Sequence, residues 1–158
     1  MITWFTTTFL GQILSTTAIA MVPVVELRGA IPYGVALGLS PWIAFVASVV
    51  GNMIPIPFII LFIRHLFEWL KSHGPFGDRI RRLEKKAHLK GRIVKKYRVI
   101  GLCLFVAIPL PGTGGWTGAL IAALLDMRLR IAIPSIFVGI LIAGMLVTGI
   151  TYGFTSLF

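Results

Sequence analysis

Charge and cysteine are what this 158-residue sequence has least of. Only 13% of its residues are charged against 57% hydrophobic, and the mean hydropathy is +0.94. That balance excludes an ordinary soluble domain and fits an integral membrane protein folded as one unit. The single cysteine, Cys103, lies in the apolar run Gly101-Leu-Cys-Leu-Phe105, so no disulfide framework exists within the chain and a small buried residue is expected there. The three histidines, His65, His73 and His88, lack metal-ligand spacing, and no metal is expected. Residues 1–27 contain no Lys or Arg, whereas a cleaved signal peptide needs a positive start; the segment around Ala18-Ile-Ala20 is therefore read as retained. There is no nucleophile–base pair, no GxxxxGK[ST] loop and no dinucleotide fingerprint, so neither an enzyme, a cofactor nor an ATP-driven pump is expected.

The charge that is present is concentrated. Of 15 Lys and Arg, 12 lie between Arg64 and Arg98, beside Glu68, Asp78 and Glu84. In such a chain a basic block is expected to face the cytoplasm and its anionic lipids, and no nucleic-acid-binding fold accompanies it. From Asp78 onward, Ile80, Leu83 and Ala87 follow a helical stripe among Arg and Lys. This fits either an amphipathic helix on a membrane surface or a solvated helix with a small apolar seam.

On either side of this block lie two hydrophobic halves, each interrupted by Gly, Pro and polar residues. The first interruption is Glu26-Leu-Arg-Gly-Ala-Ile-Pro-Tyr-Gly34 and the second Pro109-Leu-Pro-Gly-Thr-Gly-Gly-Trp-Thr-Gly118. Irregular chain at membrane depth survives only where protein covers it or it lines a cavity. Paired interruptions in two halves point to a transport site. Each half reads as half-helix, break, short return, turn and spanning helix. Ser40-Pro41 supplies the cap of a span over residues 42–63, with Asn52 a polar residue inside it and Pro55 and Pro57 expected to kink it. Residues 131–157 form the second span. Gly34 is laid against Gly118, and Gly51 against Gly139. The expected organisation is a first repeat over 1–63, a cytoplasmic connector over 64–98 and a second repeat over 99–158, all in one structural domain.

Reading each break as the tip of a re-entrant hairpin puts every Lys and Arg except Arg28 on one side of the membrane, as the positive-inside rule asks. A full crossing by residues 99–125 would instead leave Arg128 and Arg130 outside. The expected fold is thus an all-α integral membrane protein, an inverted repeat of re-entrant helical hairpin plus transmembrane helix with a basic amphipathic connector. Trp4, Trp42 and Trp69 then fall near the interfaces.

Glu26 and Arg28 are the ionisable residues placed at membrane depth, where such groups are costly and a functional role is the default. Two positions apart, they share a face only in extended chain. Ionised Glu26 would then occupy Arg28, and protonated Glu26 would release it for an anion; a static ion pair holding the tip is the alternative. The second break offers backbone N–H groups around Gly112, Gly114 and Gly115 and hydroxyls on Thr113 and Thr117. Together with a half-helix starting near Trp116 these suit an anion. Close packing of small residues is the competing explanation. Trp116 and Tyr33 offer ring faces to a substrate, or simply pack between hairpins.

The two interruption segments resemble the signatures of the putative small multidrug export protein family, over nearly the whole chain. That resemblance implies export of small compounds. The layout is also similar to the DedA/VTT membrane protein superfamily, which implies flipping of lipid phosphates such as undecaprenyl phosphate, with an acid and arginines at the hairpin tips. Glu26 and Arg28 match the first tip; the second tip carries no arginine. The expected function is therefore transport or flipping of an amphipathic anionic, lipid-phosphate-like substrate, proton-coupled through Glu26. Glu26, Arg28, Gly112, Thr113, Gly114, Gly115, Trp116 and Thr117 would bind it. A small cationic multidrug exporter and a non-transporting scaffold that binds anionic lipid or partners are the alternatives. Transport calls for a polar cavity joining the tips, a scaffold for a dry packed centre. Membrane lipids and a small amphipathic substrate are the expected partners, in a multi-pass inner (cytoplasmic) membrane protein compatible with a homo-oligomer.

Overall fold

The computed structural model describes residues 7–73, 93–110 and 112–157. Trp4 and most of the connector, including the helix expected from Asp78, lie outside the described residues. The helices are α1 (Phe9–Ala20), α2 (Glu26–Ala36), α3 (Pro41–Met53), α4 (Pro55–His73), α5 (Ile93–Ala107), α6 (Gly115–Leu124) and α7 (Leu129–Leu157), with no strand among the described residues. Two stretches are long and apolar enough to cross a membrane: Pro41–Trp69, made by α3 and most of α4, and Leu129–Gly153 in α7. Large apolar side chains such as Trp42, Phe58, Phe62 and Ile150 stay exposed, which suits a surface solvated by lipid rather than water.

Local chemistry sets the helix ends. Ser40 caps α3 through its hydroxyl, which accepts from the Ile43 amide at 3.4 Å, and Pro41 occupies the first turn, where its missing N–H costs nothing. The break between α3 and α4 falls at Ile54, where Pro55 and Pro57 withdraw two backbone donors, as the sequence suggests. Three hydroxyls inside the apolar helices are satisfied by their own helix. Thr16, Thr17 and Ser135 each donate to the carbonyl four residues back, at 2.7–2.8 Å.

The helices pair antiparallel. Gln12 on α1 donates through Nε2 to the Leu37 carbonyl at the end of α2 (2.8 Å). Arg98 on α5 donates to the Leu125 carbonyl at the end of α6 (3.2 Å), and Arg64 on α4 pairs with Asp126 in the same turn. These contacts gather the end of α4, the start of α5 and the turn leading to Arg128 and Arg130 at one end of the molecule. Leu27, Ile31, Ile56, Ile60, Leu102, Val106, Ile136 and Ile140 form the core between the pairs.

One sequence expectation changes at the interruptions. The Glu26–Gly34 stretch is not irregular: it is helix α2, with Pro32 inside it, and the real interruption is the five-residue turn Met21–Val25. With lipid offering no hydrogen bonds, a chain at membrane depth keeps helical pairing through Gly and Pro where it can. By contrast, α6 begins at Gly115, within the glycine cluster and one residue before the start near Trp116 that the sequence suggests.

The matching of the halves also shifts. In α2 the Leu39 amide closes on the Gly34 carbonyl, with Gly38 at φ 98°; in α6 the Met127 amide closes on Ala122, with Asp126 at φ 48°. Both are left-handed helix stops of the same type. A Cβ on Gly51 would strike the Thr17 carbonyl and Ala20, and one on Gly139 the Cys103 carbonyl and Val106. The helix stops and the tight glycine approaches thus recur at a constant shift of 88 residues. Gly51 matches Gly139 as expected, but Gly34 matches Ala122 rather than Gly118. The glycines pack against neighbours in both halves, so their identity alone misled the register.

Candidate functional site

The tips of the two helix pairs meet each other. Glu26 opens α2 with φ 49°, a left-handed conformation that costs a non-glycine residue about 1–2 kcal/mol. Its carboxylate, on a residue only 5% exposed, reaches the amino end of α6, where the Trp116 amide donates to Oε1 at 3.1 Å and the Gly115 amide also faces it. The exposed amides of a helix start and its positive dipole end make this a natural seat for an anion. Here the protein's own carboxylate fills that seat. Gly114 makes the approach possible, because a Cβ there would overlap both carboxylate oxygens.

Arg28 points elsewhere. Two residues along a helix, it projects roughly 200° around the axis from Glu26. Its guanidinium donates to the Leu110 carbonyl, to the Ile108 carbonyl at 3.2 Å and to Thr113 Oγ1 at 3.0 Å. Thr113 Oγ1 in turn lies 2.7 and 2.9 Å from the Ile108 and Leu110 carbonyls, so one hydroxyl and one guanidinium tie down the carbonyl end of α5. The direct Glu26–Arg28 pairing imagined for extended chain is not formed, because the chain there is helical. Among the described residues the ion pair is Arg64–Asp126.

The mirror contact comes from Trp116, which stands at the α6 position matching Arg28 in α2. Its indole Nε1 donates to the Met21 carbonyl, at the end of α1, at 3.2 Å. Each pair thus sends one donor side chain, from the first turn of its second helix, onto the carbonyl end of the opposite pair's first helix. Four orphaned carbonyls end every helix, and in a membrane they need such partners.

The structure therefore brings Glu26, Gly114, Gly115 and Trp116 together at one contact and Arg28 with Thr113 at a second. Gly112, exposed at φ 86°, makes the turn of the second tip rather than presenting its amide to the carboxylate, and the Thr113 amide is used within the loop, on Leu110. Thr117 is half-buried one residue beyond Trp116. Tyr33 lies two turns along α2 from Glu26 and so away from the tip. Sequence reasoning missed Asn52, which is fully buried and stands against Gly115 together with Ile56 and Ile140. Its signal was present: a lone carboxamide within an apolar span. Glu26 and Asn52, which both stand against this glycine stretch, are buried, as is Ser48 one turn before Asn52 on α3, so the centre is not purely apolar.

Against known proteins, a family described as putative small multi-drug export protein matches residues 26–146, from the first residue of α2 to the middle of α7. No curated protein and no solved structure matches the chain.

Proposed function

The chain belongs to the putative small multi-drug export protein family, a family of membrane transporters by description, and from that premise we propose that it carries an amphipathic anionic substrate through the junction of the two tips, by flipping or secondary transport. The observation that carries this reading is Glu26 seated on the amides of Gly115 and Trp116. An anion seat exists at the centre of the protein, and it is held by a group that a proton can neutralise. While ionised, Glu26 keeps the seat and the tips stay locked. Once neutral, it binds those amides less strongly and yields them to the substrate's anionic head. Arg28, at the same pair of tips, then exchanges carbonyl partners for that head, a better match for a fork of charged donors. The recurrence of contacts at a shift of 88 residues supports an inverted repeat. In that arrangement both helix pairs are re-entrant and Arg64, Arg98, Arg128 and Arg130 lie at the cytoplasmic face of the inner membrane.

The test uses the full chain in liposomes, with dodecyl phosphate as anionic probe and dodecyltrimethylammonium as cationic control. Wild type should move the phosphate in a pH-dependent manner. Glu26→Gln should retain binding and lose the pH response. Arg28→Ala should weaken binding roughly ten- to a hundred-fold, the loss of a charged hydrogen bond. Preference for the ammonium probe would turn the reading toward cationic drug export. Wild-type behaviour in both variants would leave the tips a structural lock.

A further inference from the structure

Ser48 and Asn52 sit one turn apart on the same face of α3, both fully buried. Neither the Ser48 hydroxyl nor either end of the Asn52 carboxamide has a hydrogen-bond partner. Each such group opposes folding, and surrounding lipid offers no hydrogen bond to relieve it. Ser48 does not use the escape that Thr16, Thr17 and Ser135 use, donation to the carbonyl one turn back.

Packing does not require polarity here. At the shift of 88 residues the counterparts of Ser48 and Asn52 are Ile136 and Ile140, fully buried on the same face of α7. The second half thus fills these two places with isoleucine, and the first half departs from that solution with a hydroxyl and the chain's one asparagine. The place is also specific. Asn52 Oδ1 would lie 3.2 Å from a Cβ on Gly115, whose amide faces Glu26, so the carboxamide is directed at the amino end of α6.

We propose that Ser48 and Asn52 are a second binding face for the polar head of the transported molecule, with Asn52 set against Gly115 while the tips meet and both residues uncovered when the tips part. In the parted state their hydroxyl and amide protons would meet oxygen atoms of the head. The missing hydrogen bonds then belong to the loaded state, and their absence here favours parting of the tips. This inference rests on the transport reading of the tips, but its residues lie on α3, outside them.

The experiment takes the full chain in nanodiscs with dodecyl phosphate as probe. Asn52→Leu keeps the branched shape without the polar atoms, and Asn52→Val guards against overfilling beside Gly115. At least one of them should melt higher than wild type while binding the probe roughly ten-fold more weakly, with Ser48→Ala weaker in the same direction. Probe binding at the wild-type level in these variants, with Arg28→Ala still defective, would overturn the inference and leave the anion reading intact. A lower melting temperature in both Asn52 variants would show that the carboxamide is structural, and would also overturn it. If wild type binds no probe, the anion reading fails and accessibility decides. Asn52→Cys in a Cys103→Ala background should react in membranes with a water-soluble maleimide, although Asn52 is fully buried here. Complete protection of that thiol would overturn the proposal.

Discussion

Gly114→Ala should be among the most damaging single-methyl changes in this protein, and the contact geometry explains why. The backbone at Gly114 is extended (φ 163°, ψ −167°), so alanine meets no conformational barrier there. The obstacle is Glu26, whose carboxylate occupies the space a Cβ would need. It must retreat from the α6 amides, losing a charge-assisted hydrogen bond of about 1.5–3 kcal/mol. Left buried without that partner it costs more, up to about 3–5 kcal/mol for an uncompensated charge. A net destabilisation of about 3 kcal/mol is expected. Glu26→Ala removes the obstacle, so in that background Gly114→Ala should cost less than about 1 kcal/mol, the penalty of replacing glycine before a helix. The double-mutant cycle, read by unfolding in mixed micelles with increasing denaturing detergent, should therefore return a coupling of about 2 kcal/mol. Gly101→Ala is the control: nothing stands within 4 Å of its would-be Cβ, and alanine there should be neutral or stabilising by up to about 1 kcal/mol. Equal costs for Gly114→Ala with and without Glu26 would refute the seating of the carboxylate on α6.

The opposite-end arrangement of the two turns is open to labelling. Single cysteines at Ser40 and Arg128, both exposed, should react from opposite sides of the membrane in a Cys103→Ala background, whereas same-side labelling would rule out an inverted repeat. At Asp126 two effects compete: a pair with Arg64 in which the Asp126 side chain is 73% exposed, and a left-handed backbone. Because exposed pairs contribute about 0–1 kcal/mol, backbone strain should dominate. Asp126→Ala should then destabilise by about 1 kcal/mol while Asp126→Gly stays near wild type, and a cost to Asp126→Gly matching that of alanine would assign the effect to the ion pair.

Much of the architecture was legible because membranes constrain sequence so tightly. The spans followed from apolar length, the α3 start from Ser40-Pro41, the break at Ile54 from two prolines, and the gathering of Arg64, Arg98, Arg128 and Arg130 at one end from charge placement. Less legible was the first interruption. Glycine and proline in Glu26–Gly34 suggested broken chain, since those residues break helices in water. At membrane depth the cost of unpaired backbone is larger, and the helix runs through Pro32. The pairing of halves by glycine identity failed for a related reason: small residues occur wherever helices touch, so Gly34 and Gly118 serve the same purpose at different heights.

Composition and local pattern alone, then, specify a helical membrane protein, with its few buried charges and its glycine cluster at the interruptions. Each residue contributes to these according to its own hydropathy or backbone freedom. Only the tertiary structure decided what the charges touch. Glu26 and Arg28 are neighbours in the chain, yet the 100° turn per residue of α2 sends one to the amides of α6 and the other to the carbonyls of α5. Whether Gly114 is a spacer or a socket, and whether Asn52 is buried filler or an unmet hydrogen-bonding group, depends on helices some 60 to 90 residues distant in sequence, because the partner of a buried polar group is a property of packing and not of the chain around it.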